Sequence, residues 1–355
     1  MRTFSVPPIS VGLVGVTGYA GIELVRLLVG HPGLSLVRAT SRTEVGRTLV
    51  AVYPFFQGYS RAELTITALD LDDLAAVCKL VFLAVPHGIA MSMAGHLRRK
   101  GVKVVDLSAD FRLRDPEVYA QWYGLDHCEV GCLGEAVYGL VEHAREAIRR
   151  AELVANPGCY PTAVILGLFP ALKARIVEPE GIVIDAKSGT SGAGHRVTAD
   201  MLFCEVYDNF RAYNLGKHRH TPEIEQELSL VAGSPITVSL NTHLLPISRG
   251  ILVTIYTRLI RPMELVEVRA IYEAVYGQER WVRLLPPGQL PEVRFVRGTM
   301  YCDMGLVVDP RTQRLLILTA IDNLCRGASG QALANANLML DLDGAMGLGA
   351  PSFMP

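Results

Sequence analysis

Apolar residues recur in two rhythms along this chain, and the rhythm changes near residue 155. In the first part, short apolar runs alternate with stretches of helical spacing. Residues 9–16 (ISVGLVGV) read as a buried strand, and Gly15 opens a turn. Residues 19–30 place Ile22, Leu24, Val25, Leu27 and Leu28 at near-helical spacing, and Gly30 with His31-Pro32-Gly33 ends that helix. Leu34 to Thr40, residues 80–85 (stopped at Pro86) and residues 102–107 read as further strands, with a helix-like stretch at 89–99. Strand, helix, strand repeated in this way implies a parallel sheet with helices on both faces and right-handed crossovers.

After Leu153 to Ala155, another short apolar strand, residues 162–174 look helical. Residues 181–187, 236–244 and 250–260 follow as strands, then 293–297, 304–308 and 314–321. Long strands with few helices between them predict a mixed, mainly antiparallel sheet. Residues 329–341 read as a closing helix, and the Gly-rich tail 343–355 is expected to lie over the surface.

Composition narrows the function. Half of the 355 residues are hydrophobic, 19% are charged and the formal net charge is -1. That balance offers no basic patch for nucleic acid or a membrane surface, and it predicts subunit contacts as well as a core. The start of the chain, MRTFSVPPIS, lacks the basic and hydrophobic pattern of a signal peptide, and no apolar run is long enough to span a membrane. Seven irregularly spaced cysteines point to reduced thiols in a cytoplasm. Cys128 and Cys132 have no second ligand pair at a zinc-like spacing, so no metal is expected.

The first strand runs into Gly15-Val16-Thr17-Gly18-Tyr19-Ala20-Gly21, a G-x-x-G-x-x-G turn that opens a helix. Glycines there let the backbone approach a pyrophosphate, whose charge the helix N–H groups stabilise. At the end of the second strand an NAD enzyme places Asp or Glu on the ribose 2′-hydroxyl. This chain has Ser41 and Arg42 instead, which suits the 2′-phosphate of NADP(H).

Asn156-Pro157-Gly158-Cys159-Tyr160-Pro161-Thr162 sets a thiol at or just before a helix N-terminus, where thiolate is stabilised. Thiolate is the nucleophilic form, so Cys159 is the expected catalyst. Its acid/base partner is sought in Lys217-His218-Arg219-His220: if this stretch is extended, His218 and His220 face one cleft. His243 is a third candidate. The loop Ser188 to Gly194, with Ser191 and Gly192, offers N–H groups and hydroxyls for a phosphate or the nicotinamide amide. Arg112, in Leu107-Ser108-Ala109-Asp110-Phe111-Arg112, either clamps a substrate carboxylate or pairs with Asp110 or Asp115.

Together these segments, with HRHTPEIEQ at 218–226, HLLPISRG at 243–250 and DNLCRGASGQALAN at 322–335, resemble N-acetyl-gamma-glutamyl-phosphate reductase of the arginine pathway. The resemblance spans nearly the whole chain. It implies an α/β fold like the semialdehyde and glyceraldehyde-phosphate dehydrogenases: a Rossmann-type NADP domain, 1–158 with 325–355, and an α+β catalytic and oligomerisation domain, 159–324. It implies that Cys159 attacks the acyl phosphate and forms a thioester, with His218 or His220 as acid/base. Arg112, Ser188 and His243 would contact substrate; Pro86, Ser191, Gly192 and Asn323 would join the glycine loop around NADP(H). A cytoplasmic homodimer or homotetramer is implied. Cys325 departs from the small or polar residue expected there. The competing readings are a lysine-pathway aminoadipyl-phosphate reductase that works on a carrier protein, aspartate-semialdehyde dehydrogenase, and a non-catalytic NADP-binding regulator.

Overall fold

The computed structural model describes residues 7–195 and 197–353. The first six residues, where the reading of the N-terminus begins, lie outside the described residues, as do the last two of the tail. The chain divides into two compact units, Met1–Pro157 with Ala328–Ala350, and Gly158–Gly327 with Pro351–Pro355.

The first unit is built on a seven-stranded sheet: β1 Ile9–Val14, β2 Leu34–Thr40, β3 Ile66–Thr67, β4 Leu80–Leu83, β5 Lys103–Asp106, β6 Val137–Tyr138 and β7 Leu153–Ala155. Their order is β3-β2-β1-β4-β5-β7-β6, and every pair is parallel. The order reverses between β1 and β4, and in open α/β sheets ligands bind outside the strand ends at such a switch point. The central strand β4 is apolar and buried along its whole length, the pattern of a strand covered on both faces. Helices Tyr19–Leu28 and Ala90–Arg99 fall where the spacing predicts them. The helices Leu71–Val77, Pro116–Tyr123 and Val141–Arg150 do not figure in the sequence reading. The second of these carries a legible start signal: Asp115 accepts from the Glu117 N–H, with proline in the first turn.

The tail is less superficial than expected. The Met346 carbonyl lies 3.0 Å from His31 Nε2 and accepts from Asn337 Nδ2, and Leu348 is buried. His31 Nδ1 accepts two backbone N–H groups, so a third polar partner at Nε2 satisfies a fully buried ring.

The second unit holds β8 Ile182–Ser188, β9 Arg211–Tyr213, β10 Val238–Leu244, β11 Ile251–Arg258, β12 Val282–Leu284, β13 Cys302–Asp309 and β14 Arg314–Ile321. The order is β12-β13-β14-β11-β8-β10-β9, antiparallel except for β8–β10 and β12–β13. Strict alternation along β8, β10 and β11 buries one face and leaves the other half-exposed. Three features of this unit depart from what the spacing predicts. Residues 293–297 form no strand: Val293–Phe295 is a 3-10 turn, with Val293 packed against Gly250 and Phe295 exposed, so its apolar alternation belongs to a turn. Helices are not few, since Thr221–Ala232 and Leu265–Tyr276 both intervene. The stretch holding His218 and His220 is not extended; it is a turn that leads into helix Thr221–Ala232, whose N-cap is His220.

Helix Cys159–Lys173 is apolar on nearly all sides and buried on nearly all of them, the pattern of a core helix. Pro170 lacks the N–H that would bond the Leu166 carbonyl. The Tyr276 hydroxyl donates to that carbonyl at 2.8 Å, and the Tyr272 hydroxyl donates to Gly167 at 2.8 Å. Thr319 Oγ1 donates to the Ala163 carbonyl at 3.2 Å. The helix is therefore tied to the sheet and to helix Leu265–Tyr276, and its first residue, Cys159, stands on a fixed platform.

Candidate active site

In the first unit the glycine loop divides its labour. Gly15 has φ +89°, and a Cβ there would lie 2.2 Å from the Ala84 carbonyl oxygen. A Cβ at Gly21 would lie 2.3 Å from the Gly15 oxygen. These two glycines let helix, strand and turn pack. Gly18 faces open space except for the Gly15 oxygen at 3.8 Å, so a phosphate meets no side chain there. Gly18 is also the helix N-cap; no side chain caps it and no acid lies in the first turn. The N-terminal N–H groups, from Tyr19 and Ala20 onward, thus keep the polarity that holds an anion. Thr17 Oγ1 lies 3.3 Å from Ser41 Oγ, which joins the glycine loop to the end of β2. Arg42, next in the chain, is exposed. An anion cradle of N–H groups, hydroxyls and a guanidinium fit a dinucleotide with a 2′-phosphate.

Pro86 follows β4, and the loop after it is held by Asp110. Its carboxylate accepts from the Gly88 N–H at 2.7 Å, the Ala90 N–H at 3.0 Å and the Tyr119 hydroxyl at 2.7 Å. Asp106, fully buried at the end of β5, is pushed up to about 7 by its burial and by the nearby Asp110 carboxylate. Arg112 donates to the carbonyls of Asn156 at 2.8 Å and Leu107 at 3.0 Å. Its guanidinium is buried and holds backbone.

In the second unit Cys159 is the first helical residue after N-cap Gly158. The Gly158 N–H donates to Glu223 Oε1 at 2.8 Å, and Glu223 is 1% exposed. This carboxylate joins the first turn of helix Thr221–Ala232 to the N-terminus that carries the thiol. Tyr160 and Tyr213 share a 2.7 Å hydroxyl contact. Burial raises both phenols, Tyr213 to about 12, so both stay protonated at neutral pH. The His218 ring centre lies 5.2 Å from that of Tyr160, 5.8 Å from Tyr213 and 4.9 Å from His220. The His220 ring lies 6.0 Å from Tyr160. Two histidines therefore do gather beside the thiol residue's neighbour, through a turn rather than through strand alternation.

The turn also separates their roles. His218 Nδ1 accepts the His220 backbone N–H at 3.1 Å, which leaves the proton of the neutral ring on Nε2. Burial, aided by Arg219, lowers His218 to about 4, so it is neutral at physiological pH. The folded pKa lies below the ordinary 6.5, so the stabilising share of His218 is full above pH 6.5 and is lost as pH falls toward 4, where the unfolded chain takes the proton first. His218→Gln should remove on the order of 2 kcal/mol of the stability loss between pH 7 and pH 4.5. Urea midpoints at the two pH values check this; equal pH dependence in wild type and variant would refute it.

Gly327 completes the setting. A Cβ at this position would lie 2.7 Å from Cys159 Cβ and 3.0 Å from its Cα. The loop 188–194 is not the nest of open N–H groups the sequence suggests. Gly189, Thr190 and Ser191 donate to the carbonyls of Gly250, Ile247 and Ser248, and Gly192 to that of Gly189. The short Gly/Ser segment uses its N–H groups to dock on the loop before β11. Its hydroxyls carry what chemistry remains. Ser188 is buried and its hydroxyl donates to the Gly189 carbonyl at 3.0 Å, while Asn323 Nδ2 donates to Ser191 Oγ at 3.0 Å. His243 does not join the cluster. It alternates with buried Thr242 and Leu244, so it points to the other face of the sheet, with Nδ1 3.2 Å from Asp185 Oδ1 and its ring against Phe210. Glu223, Tyr213 and Gly327 are the neighbours of the thiol end that the sequence reading assigns no role there.

Residues 10–151 match the family model described as the semialdehyde dehydrogenase NAD-binding domain, and residues 159–323 match the semialdehyde dehydrogenase dimerisation domain. No helix among the described residues is long and apolar enough to cross a membrane. The fold is similar to aspartate semialdehyde dehydrogenase II from Vibrio cholerae, with a TM-score of 0.71 at 17% identity over 94% of this chain and 99% of that one. The aspartate semialdehyde dehydrogenase with NADP from Candida albicans is similar at a TM-score of 0.67 and 16% identity, covering 94% of this chain and 99% of that one. Over 347 residues the chain is 50% identical to N-acetyl-gamma-glutamyl-phosphate reductase of Desulforudis audaxviator, covering 98% of this chain and 100% of the relative. The reductase of the same name from Moorella thermoacetica is 48% identical with the same coverage. On identity of this extent over the full length, the chain belongs to the N-acetyl-gamma-glutamyl-phosphate reductase family.

Proposed function

We propose that this enzyme reduces N-acetyl-gamma-glutamyl phosphate to N-acetylglutamate 5-semialdehyde in arginine biosynthesis, through a thioester on Cys159. The observation that carries the reading is the setting of Cys159: first residue of a core helix, preceded by N-cap Gly158 whose N–H is held on Glu223, with the His218–His220 pair and Tyr213 around its neighbour Tyr160. A thiolate there attacks the acyl carbon, the carbon–oxygen bond to phosphate breaks, and phosphate leaves. NADPH, when bound, supplies the hydride that the thioester carbonyl accepts. His220 donates a proton to the oxyanion and recovers it as the thiohemiacetal collapses to aldehyde and thiolate. His218 holds the turn and stays neutral, so it favours His220 as the acid/base. Helix N–H groups at the Cys159 end stabilise the oxyanion. Ser188 would help to orient the acyl group. Arg112, bound to two carbonyls, serves better as a brace for the segment that leads into Cys159 than as a carboxylate clamp.

The glycine loop 15–21 with Ser41 and Arg42 holds NADP(H), and Pro86, Ser191, Gly192 and Asn323 are its further contacts. Arg42→Ala should raise KM for NADPH by about 10- to 100-fold, the worth of a charge-assisted bond, and leave KM for NADH unchanged. Parallel changes for both cofactors would remove Arg42 from 2′-phosphate recognition. The domain limits that fit this division of labour are 1–158 with 325–355 for the cofactor and 159–324 for catalysis. The enzyme works as a cytoplasmic homodimer or homotetramer. The half-exposed sheet face and the exposed apolar residues Phe203, Tyr207 and Phe210 support association.

The reverse reaction tests the assignment. Wild-type enzyme with N-acetylglutamate semialdehyde, phosphate and NADP should form NADPH, and omission of phosphate should stop it. Turnover only with aminoadipate semialdehyde would sink the arginine-pathway reading.

A further inference from the structure

Asp322 lies between β14 and the turn that ends at Gly327, and it is fully buried. Its carboxylate accepts five hydrogen bonds from three separate segments. Arg249 Nε and Nη2 donate at 2.9 and 2.8 Å, in the forked geometry of a bidentate pair. The Gly298 N–H donates at 2.7 Å, and the Leu324 and Cys325 N–H groups donate at 2.9 and 2.6 Å. The Asp322 carbonyl accepts the Gly327 N–H at 2.9 Å. Gly327 is the residue whose α-carbon stands so close to Cys159 that a Cβ would collide with it. Asn323 extends the same frame: its Oδ1 accepts the Gly250 N–H at 2.7 Å, and its Nδ2 donates to Ser191.

We propose that Asp322 is the positioning residue for the nucleophile: it sets the 322–327 turn against Cys159, and Arg249 acts on the reaction through Asp322 rather than by touching substrate. The inference rests on Cys159 being the nucleophile. Two features support it beyond simple packing. Asp322 is the shared acceptor of the loop before β11, the turn before β13 and the turn that walls Cys159, so its charge fixes three loops at once. The Arg249 guanidinium is turned onto that buried carboxylate with two of its nitrogens, which aims its fork inward.

The Asp322→Asn change isolates the charge. An amide oxygen still accepts the Leu324 and Cys325 N–H groups, but the amide nitrogen then faces other donors, Arg249 or Gly298. The turn shifts, and the wall at Cys159 shifts with it. A displacement of about 1 Å at a reacting group costs about 100-fold in rate.

The experiment measures kcat and KM for NADPH-dependent reduction of the acyl phosphate in wild type, Asp322→Asn, Arg249→Lys and the double variant. The rate of Cys159 alkylation by iodoacetamide is followed in the same proteins, located by peptide mass. Both single variants should lose about 10- to 100-fold in kcat, with KM within about threefold, and alkylation should slow in step. The double variant should be no worse than the poorer single, because the two residues act as one unit. Losses that multiply in the double variant, or a rise in KM for the acyl phosphate alone, would show that Arg249 binds substrate itself. Wild-type kcat and alkylation in folded Asp322→Asn would overturn the proposal. If that variant does not fold, Arg249→Lys decides, since it keeps the charge and loses only the fork. Cys159→Ser in the same assay separates the two claims: activity retained there sinks the nucleophile reading, whatever Asp322 does.

Discussion

Cys159→Ser should lower the NADPH-dependent reduction of the acyl phosphate by about four orders of magnitude or more, the scale on which a removed nucleophile acts. Serine keeps the size of the side chain but replaces the thiol, whose anion is the nucleophile, with a hydroxyl that does not ionise in this pH range. The helix that bears it should be unchanged, because its stability comes from burial of Tyr160 to Leu172 and from Tyr272, Tyr276 and Thr319 on its carbonyls. NADPH binding should be unchanged as well, since the glycine loop is built from residues 15–21 and the end of β2. Fluorescence titration of NADPH against the variant separates a lost nucleophile from a lost fold. Activity within about tenfold of wild type would contradict covalent catalysis.

His220→Asn should cost about 100- to 10,000-fold in kcat, the usual range for a positioned acid/base. The backbone N–H of residue 220 still reaches His218 Nδ1 in this variant, so the turn survives and only proton transfer is lost. His218→Asn has the opposite expectation. Its amide oxygen can still accept the residue 220 N–H, but the ring packed against Tyr160 and Tyr213 is lost, so it should affect kcat less and stability more. The pH profile of kcat/KM distinguishes the two: one limb should disappear in His220→Asn and persist in His218→Asn. A larger loss of kcat in His218→Asn would exchange the roles of the two histidines.

Much of this architecture is legible in local pattern. Leu34–Thr40 and Arg314–Ile321 form strands with the bounds their apolar runs give, and a thiol between a short strand and an apolar helix announces its own setting. The failures have physical causes. Val293 to Val296 alternates like a strand, yet Val293 is consumed by contact with Gly250, which no local window contains. The Asp115 cap was present in the sequence, but helix Pro116–Tyr123 is short and buries only Tyr119 of its apolar residues, so its periodicity is faint. The Gly/Ser loop reads as open N–H groups because its partners, Ile247 and Ser248, lie more than fifty residues away. Glu223 on Gly158 and Asp322 on Gly298 are likewise bonds between distant segments. Hydrogen bonds of that kind organise the thiol end, and residue spacing carries no trace of them.

The most direct test of the account is to trap the intermediate. Enzyme mixed with N-acetyl-gamma-glutamyl phosphate in the absence of NADPH, quenched in acid and digested, should yield the peptide containing Cys159 heavier by one N-acetylglutamyl group, with one phosphate released per adduct. Addition of NADPH before the quench should discharge it as the semialdehyde. An unmodified Cys159 peptide from enzyme that turns over in the complete mixture, or the acyl group on another residue, would contradict the thioester at the centre of this account.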